Sequence, residues 1–393
     1  MDGAFARGRL LALTDLLARG FAMGGSCAVR VRANMGISSA RGLFASGGIW
    51  PIVLPYMKTL IVGIGALGGI IAGRLRGAGC AVWLATRDAE SAVKLQACGL
   101  QVTGVGGAVS APVSAVAPLD KYSETDAFEL IVLATKAQAA IDSAPCLSRL
   151  LAAGGTLLPI QNGGVSQILA RELGNECVLG GLSNLGGTMT SLGSYEQRNA
   201  GHLLIGEIAG GHSERAERVR ASLGRALDVR VTPNLSGAVW SKLILNCSTT
   251  TIGAVVGATM QEYITSREGR ELFTRTYDEA LSVALASGVH PERMLVEPVP
   301  PGWAGRSVPS AAYDAWLGEV LAAYGQLKAS MLQDIERQRP TEIDFINGYV
   351  VDLAQKLGVS TPANAAIVET IQTITRGAAV PSPSHLARIL DAC

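Results

Sequence analysis

The chain has no Cys-x-x-Cys pair and no histidine cluster; seven cysteines and four histidines are scattered through 393 residues. Cysteines in odd number and without pattern supply neither a structural zinc site nor a disulfide framework, so no metal is expected and the compartment implied is a reducing, cytoplasmic one. Net charge is also lacking. Lys+Arg 33 against Asp+Glu 32 leaves +1, which gives no footing for nucleic acid or an anionic membrane surface. No apolar run is long enough to span a bilayer. There is no internal repeat and no low-complexity tract. What remains is a chain with 48% hydrophobic residues, globular in composition and long enough for two domains.

The stretch Lys58 to Ala78, KTLIVGIGALGGIIAGRLRGA, organises the rest. A run rich in β-branched residues, Thr59 to Ile64, leads into Gly63, Gly65 and Gly68 at the spacing G-x-G-x-x-G. Leu67, Ile70, Ile71 and Leu75 follow at helical density. A strand, a tight glycine turn and a helix give this motif its meaning as a dinucleotide fingerprint. Gly63 allows the turn, Gly65 lets backbone approach a pyrophosphate, and Gly68 lets helix and strand pack closely. The pyrophosphate then sits at the positive end of the helix dipole. A flexible glycine loop is the bland alternative.

Residues 1–56 look foreign to this pattern. They carry Arg7, Arg9, Arg19, Arg30, Arg32 and Arg41 against Asp2 and Asp15, and they break at Pro51 and Pro55 just before Met57. An Arg-rich, acid-poor transit peptide is one reading. An upstream extension, with Met57 as the true start, is favoured, and a chain beginning at Met57 is expected to fold.

From Met57 the pattern is βαβ. A second strand, Ala81 to Thr86, is followed by Arg87, where an arginine accommodates a 2′-phosphate and an acid would accept from ribose hydroxyls. This favours NADP over NAD, although Asp88 offers an acid in a shifted register. Glu129 to Thr135 ends in Lys136, and Thr156 to Ile160 runs into Gln161-Asn162-Gly163-Gly164. Both ends lie where doubly wound sheets bind ligands. Lys136 could therefore reach the cofactor or simply start a helix; Asn162 could do the same or simply form a turn. Cys177 to Leu182 and His202 to Ile208 read as strands with a glycine-rich loop between them. Ser213 to Leu227 reads as a helix, and Val229 to Thr232 closes a first domain, 57–233.

Beyond Asn234 strand signals stop. Gly237 to Val256, Tyr263 to Ser287, Ala311 to Arg337, Glu342 to Leu357 and Asn364 to Thr375 carry helical periodicity, and Pro291 to Pro309 reads as a loop. The fold class is thus α/β, a Rossmann-type domain followed by an all-helical domain, 234–393. Two stretches place polar groups in apolar helices. In VWSKLILN, Lys242 and Asn246 are i and i+4 on one face. A lysine there is costly unless solvated, paired or functional, and a snorkelling lysine fits the spacing equally well. In SMLQDIERQRPTEIDFING, Pro340 ends a helix, Thr341 caps the next, and Glu342 falls in its first turn, favoured by the dipole.

Together GIGALG (Gly63 to Gly68), LATK ending at Lys136, QNG (Gln161 to Gly163), WSKLILNC (Trp240 to Cys247) and SMLQDIERQRPTEIDFING resemble the ketopantoate reductase (2-dehydropantoate 2-reductase) family, in order and spacing from Met57 to about Gly377. Members reduce a small 2-oxo acid with NADPH in a cleft between a Rossmann and a helical domain. The resemblance implies Lys242 as the proton donor to the developing alkoxide and Glu342 as the active-site glutamate beside nicotinamide and substrate. It implies cofactor contacts from Gly63, Ile64, Gly65, Ala66, Leu67, Gly68, Arg87, Lys136, Asn162, Gly187 and Glu342. Asn246, Thr250 and Ser330 fall on substrate-contacting positions. A homodimer is compatible with it. Ketopantoate is the first substrate the resemblance implies; the family commonly has asparagines where this chain has Thr250, Met260 and Leu327, which leaves a bulkier or more apolar 2-oxo acid open. A related β-hydroxy acid or opine-type dehydrogenase, or a non-catalytic NADP-binding regulator, are the alternatives. Retention of both Lys242 and Glu342 argues against the regulator.

Overall fold

The computed structural model describes residues 56–303 and 310–393. The extension read at 1–56 lies outside the described residues except for Tyr56, and the proline-rich loop is described as far as Trp303.

The first lobe alternates strand and helix. In chain order it comprises β1 (Thr59–Val62), α1 (Ala66–Gly77), β2 (Val82–Thr86), α2 (Ala89–Cys98), β3 (Leu100–Gly104), β4 (Val109–Ala111) and β5 (Val116–Pro118). It continues through β6 (Phe128–Leu133), α3 (Ala137–Leu150), β7 (Leu151–Pro159), α4 (Val165–Leu173), β8 (Leu179–Ser183), β9 (Gly187–Ser191) and β10 (Ser194–Gln197). β11 (Leu203–Glu207), α5 (Glu214–Leu223) and β12 (Val229–Val231) complete it.

Five strands form a parallel sheet in the order β5-β2-β1-β6-β7. Its central strand explains the continuous apolar run in the sequence: Leu60 and Ile61, which face opposite sides, are both fully buried, as a strand covered on two faces requires. A three-stranded sheet, β12-β11-β8, lies beyond β7 and touches it through the parallel bridge Leu157 to Val178.

A third sheet departs from expectation. The segment read as a glycine-rich loop between 182 and 202 forms the antiparallel pair β9–β10, and β10 joins β3 and β4 in the order β4-β3-β10-β9. These strands are short and largely exposed on one face, so they lack the apolar runs that mark the central sheet. The sheet packs on α1: glycines at 69 and 73 leave room for Tyr195 and Val102.

The second lobe is helical: α6 (Leu235–Ser248), α7 (Thr250–Val256), α8 (Met260–Tyr263), α9 (Arg267–Ala286), α10 (Ala311–Tyr324), α11 (Ser330–Glu336), α12 (Asn347–Leu357), α13 (Pro362–Thr375) and α14 (Ser384–Asp391). Several helices expected to be continuous are broken. Gly237 to Val256 divides at Thr249, Tyr263 to Ser287 starts its long helix only at Arg267, and Ala311 to Arg337 divides between Tyr324 and Ser330. At Thr249 the apolar phase carries across the break, so periodicity alone does not show it. One core holds the lobe together, with Leu243, Ile244, Leu281, Val350 and Ile371 all buried. Its polar spine is Asn347, which donates to Asn364 Oδ1 at 3.0 Å, and Glu279, whose carboxylate accepts from Ala363 N and Asn364 N at 2.9 Å and so caps α13. That network fixes α12, and α12 fixes the turn before it that carries Glu342.

Candidate active site

The glycine turn is built as its spacing requires. Gly63 adopts φ +90°, and a side chain on Gly68 would start 2.0 Å from the Gly63 carbonyl oxygen. Only glycines permit that turn and that approach. α1 begins directly after it, without a side-chain cap and without an acid in its first turn. A Cβ on Gly65 would meet nothing within 4 Å, so this helix end faces open space. At the carboxyl edge of β6 and β7, Thr135 Oγ1 and Gln161 Oε1 are buried without a hydrogen-bond partner among the described residues. The free amides of an uncapped helix start suit a phosphate, and the unpartnered Thr135 hydroxyl and Gln161 amide oxygen at the same sheet edge suit the hydroxyls of a dinucleotide. Ile64, Ala66 and Leu67 lie in this turn, and Gly187 packs on it from β9, against Ile70.

Arg87 stands just past β2, fully out in solvent, with its Nε on Asp88 Oδ2 at 3.1 Å. Asp88 in turn accepts from Ser91 N at 2.8 Å and caps α2. The Ser91 hydrogen bonds, then Arg87, hold its carboxyl down at about 2. Asp88 is therefore committed to the helix end, and Arg87 is the group left with free donors there.

α6 positions the amine. Around it nearly every residue from Gly237 to Val256 is buried, and Lys242, Asn246 and Thr250 are the half-buried exceptions. Their spacing of four places all three on one stripe. Lys242 Nζ donates to Ser183 O at 2.6 Å, at the end of β8. Thr250 Oγ1 donates back to Asn246 O at 3.0 Å. Burial pulls the Lys242 ammonium down to about 8, and the nearby Glu342 carboxylate opposes that shift. His202, close by, is held below its usual range by burial first, then by the Arg230 and Lys242 charges, with Asp228 opposing.

Glu342 does not sit in the first turn of a long helix. It precedes a single 3₁₀ turn, Ile343–Phe345, before α12. It does serve a helix start, but that of α3 in the other lobe: Glu342 Oε1 accepts from Ala137 N at 3.1 Å. Lys136, immediately before α3, donates to Asp334 Oδ2 at 2.6 Å and lies 3.9 Å from Glu342 Oε2. The QNGG turn joins the same seam, with Gly164 N 3.4 Å from Phe345 O. Asn162 thus lies beside the TEIDF segment. Ser330 is exposed at the start of α11, which packs on α7.

Asp334 joins the site although none of the motifs singles it out. Its signal was present: on the short α11 it falls three residues after Met331, on the apolar face, and it is buried to 8% exposure. An acid on the apolar stripe of a helix needs a partner, and that partner is Lys136. Ser183 was beyond reach, since it contributes only a backbone oxygen.

A dinucleotide-type sheet joined to a helical lobe, with a lysine and a glutamate at the junction, defines an oxidoreductase of the two-lobed kind. Family models described as Ketopantoate reductase PanE/ApbA and Ketopantoate reductase PanE/ApbA C terminal match residues 59–210 and 234–375. The chain belongs to the ketopantoate reductase family. A 2-dehydropantoate 2-reductase from Pyrococcus horikoshii is 29% identical over 318 residues, which are 78% of this chain and 94% of that one. The PanE/ApbA family ketopantoate reductase from Ralstonia eutropha JMP134 has a similar structure, with a TM-score of 0.68 at 23% identity over 82% of this chain and 99% of that one. A D-mandelate dehydrogenase solved with NADH and anilino(oxo)acetate gives 0.70 at 22% identity, covering 82% and 100%. At these identities the structural likeness speaks for the fold. Among the described residues no helix is long and apolar enough to cross a membrane, and no group of His, Cys, Asp and Glu is placed to hold a metal. All described cysteines are free thiols.

Proposed function

We propose that the chain reduces a small 2-oxo acid to a 2-hydroxy acid with NADPH, and that 2-dehydropantoate is the first substrate to test. The observation that carries this reading is Lys242: an ammonium lowered to about 8 by burial, on a polar stripe of an otherwise buried helix, with a glutamate near. The dinucleotide, when bound, supplies the hydride. Reduction of a ketone builds negative charge on its oxygen. Lys242 stabilises that charge and gives up a proton to it. Of its three hydrogens one is held by Ser183 O, which fixes the direction in which the others point. Asn246, a turn further along the stripe, is placed to bind the oxo acid. Glu342 keeps the amine charged and holds the two lobes in register through Ala137 N.

Apolar Met260 and Leu327 at two of the family's asparagine positions support a bulkier or more apolar 2-oxo acid as the second candidate. Leu327 is 62% exposed, and the turn that carries it joins the start of α8, where Gln261 N donates to Gly325 O at 2.9 Å. Purified protein, assayed for NADPH oxidation with 2-dehydropantoate and with bulkier, more apolar 2-oxo acids, tests the reading. Turnover with at least one is expected. No turnover with any of them, with the dinucleotide bound, overturns it.

Arg87 supports NADPH over NADH. A guanidinium on a 2′-phosphate makes charge-assisted hydrogen bonds; at so exposed a position their net effect is about tenfold, roughly 1.4 kcal/mol. Arg87→Ala is expected to raise the KM for NADPH by about that factor and to leave the KM for NADH unchanged. Equal losses with both cofactors would mark Arg87 as structural.

A further inference from the structure

We propose that Tyr195, on a strand of the side sheet, is a positioning residue for the dinucleotide: its hydroxyl fixes the peptide between Ile64 and Gly65 so that the Gly65 N–H faces the pyrophosphate. The proposal rests on the dinucleotide reading of the glycine turn.

Tyr195 is almost wholly buried, at 2% exposure. Its hydroxyl donates to Ile64 O at 3.2 Å and accepts from Gly193 N at 3.2 Å. Burial pushes the phenol up to about 12, so it keeps the proton it donates. In a trans peptide the carbonyl and the following N–H point in opposite directions. Holding Ile64 O inward, on Tyr195, therefore turns the Gly65 N–H outward. That is the side on which a Cβ at Gly65 would meet nothing, at the uncapped start of α1. Gly65 N has no hydrogen-bond partner among the described residues.

The chain gives this contact room. A side chain on Gly69 would start 2.2 Å from the Tyr195 ring, so the ring reaches Ile64 only because position 69 carries no Cβ. Gly193, in the β9–β10 turn, sets the other end: its N–H orients the hydroxyl. The hairpin thus acts as a brace for the phosphate loop, and Gly69 belongs to the brace and not to the G-x-G-x-x-G spacing.

The test measures dissociation constants of NADPH and NADH by nicotinamide fluorescence, without substrate, for the parent chain, Tyr195→Phe and Gly69→Ala. Tyr195→Phe keeps the ring and removes the hydrogen bonds; Gly69→Ala keeps the hydroxyl and displaces the ring. Each is expected to weaken both dinucleotides by about tenfold, the size of one lost hydrogen bond to a charged group. The NADPH-to-NADH ratio should stay as in the parent, since the pyrophosphate is common to both. The KM for the oxo acid should stay unchanged as well. A role confined to stability would lower the melting temperature and leave both dissociation constants within twofold of the parent; that result overturns the proposal. A parent chain that binds neither dinucleotide overturns the reading of the glycine turn, and this proposal with it.

Discussion

Lys242→Ala is expected to lower kcat by about 10²–10⁴-fold, the usual contribution of general acid catalysis. The fold should survive, because Lys242 lies on a half-buried stripe of α6 and not among its fully buried core residues. A small amine added to the variant should restore part of the rate, since it enters the vacated space and can donate the proton. The parent enzyme should show the acid in its pH dependence. With the ammonium at about 8, the amine is protonated and competent below that pH, and the rate of reduction falls as pH rises through it. Glu342→Gln removes the charge that opposes the downward shift while keeping an oxygen for Ala137 N. The alkaline limb should therefore move to lower pH. A limb that stays in place would show that Glu342 does not set the strength of the acid. Because both groups act on one transition state, the double variant should lose less than the product of the single losses. An unchanged kcat in Lys242→Ala, with every 2-oxo acid accepted, removes the catalytic assignment.

Gly68→Ala is expected to abolish tight dinucleotide binding and to destabilise the first lobe. The added methyl would start 2.0 Å from the Gly63 carbonyl oxygen, and this neighbour is backbone, which cannot rotate away. α1 must therefore move off β1, at a cost of roughly 3 kcal/mol, the upper part of the range for overpacking. The Gly63 turn and the α1 start would move with it. Thermal unfolding and dinucleotide titration on the same sample check both effects. A variant that melts and binds like the parent would mean that α1 does not approach β1 as described.

What the sequence made legible follows from which forces are local. β1, the glycine turn and α1 are consecutive, and each states its structure in its own residues: a doubly buried strand, a turn only glycine enters, a helix of apolar repeats. The Lys242–Asn246 stripe was legible for the same reason, since four-residue spacing is local geometry. The β9–β10 hairpin was not. Its glycines read as loop, and what makes it sheet is pairing with β3, some ninety residues earlier in the chain. Glu342 shows the same limit. Its position early in a helical region was clear, but the helix whose start it serves is α3, which the chain leaves far upstream. Asp334 lay between these cases, visible as an acid on an apolar face but with no local sign of its partner.

Glu342 sits where three positive influences meet: the Lys242 ammonium, the Lys136 ammonium and the amide end of α3. Two of the three belong to the opposite lobe. Burial lowers Lys242 and Glu342 only opposes it, and the opposite lobe supplies part of that burial through Ser183 O, which holds Nζ. Drawing the lobes apart would admit water to the amine, and it would hold its proton more firmly. Bringing them together makes it a readier donor. The strength of the acid is thereby tied to the position of the lobes, and the proton is easiest to release when the cleft is shut.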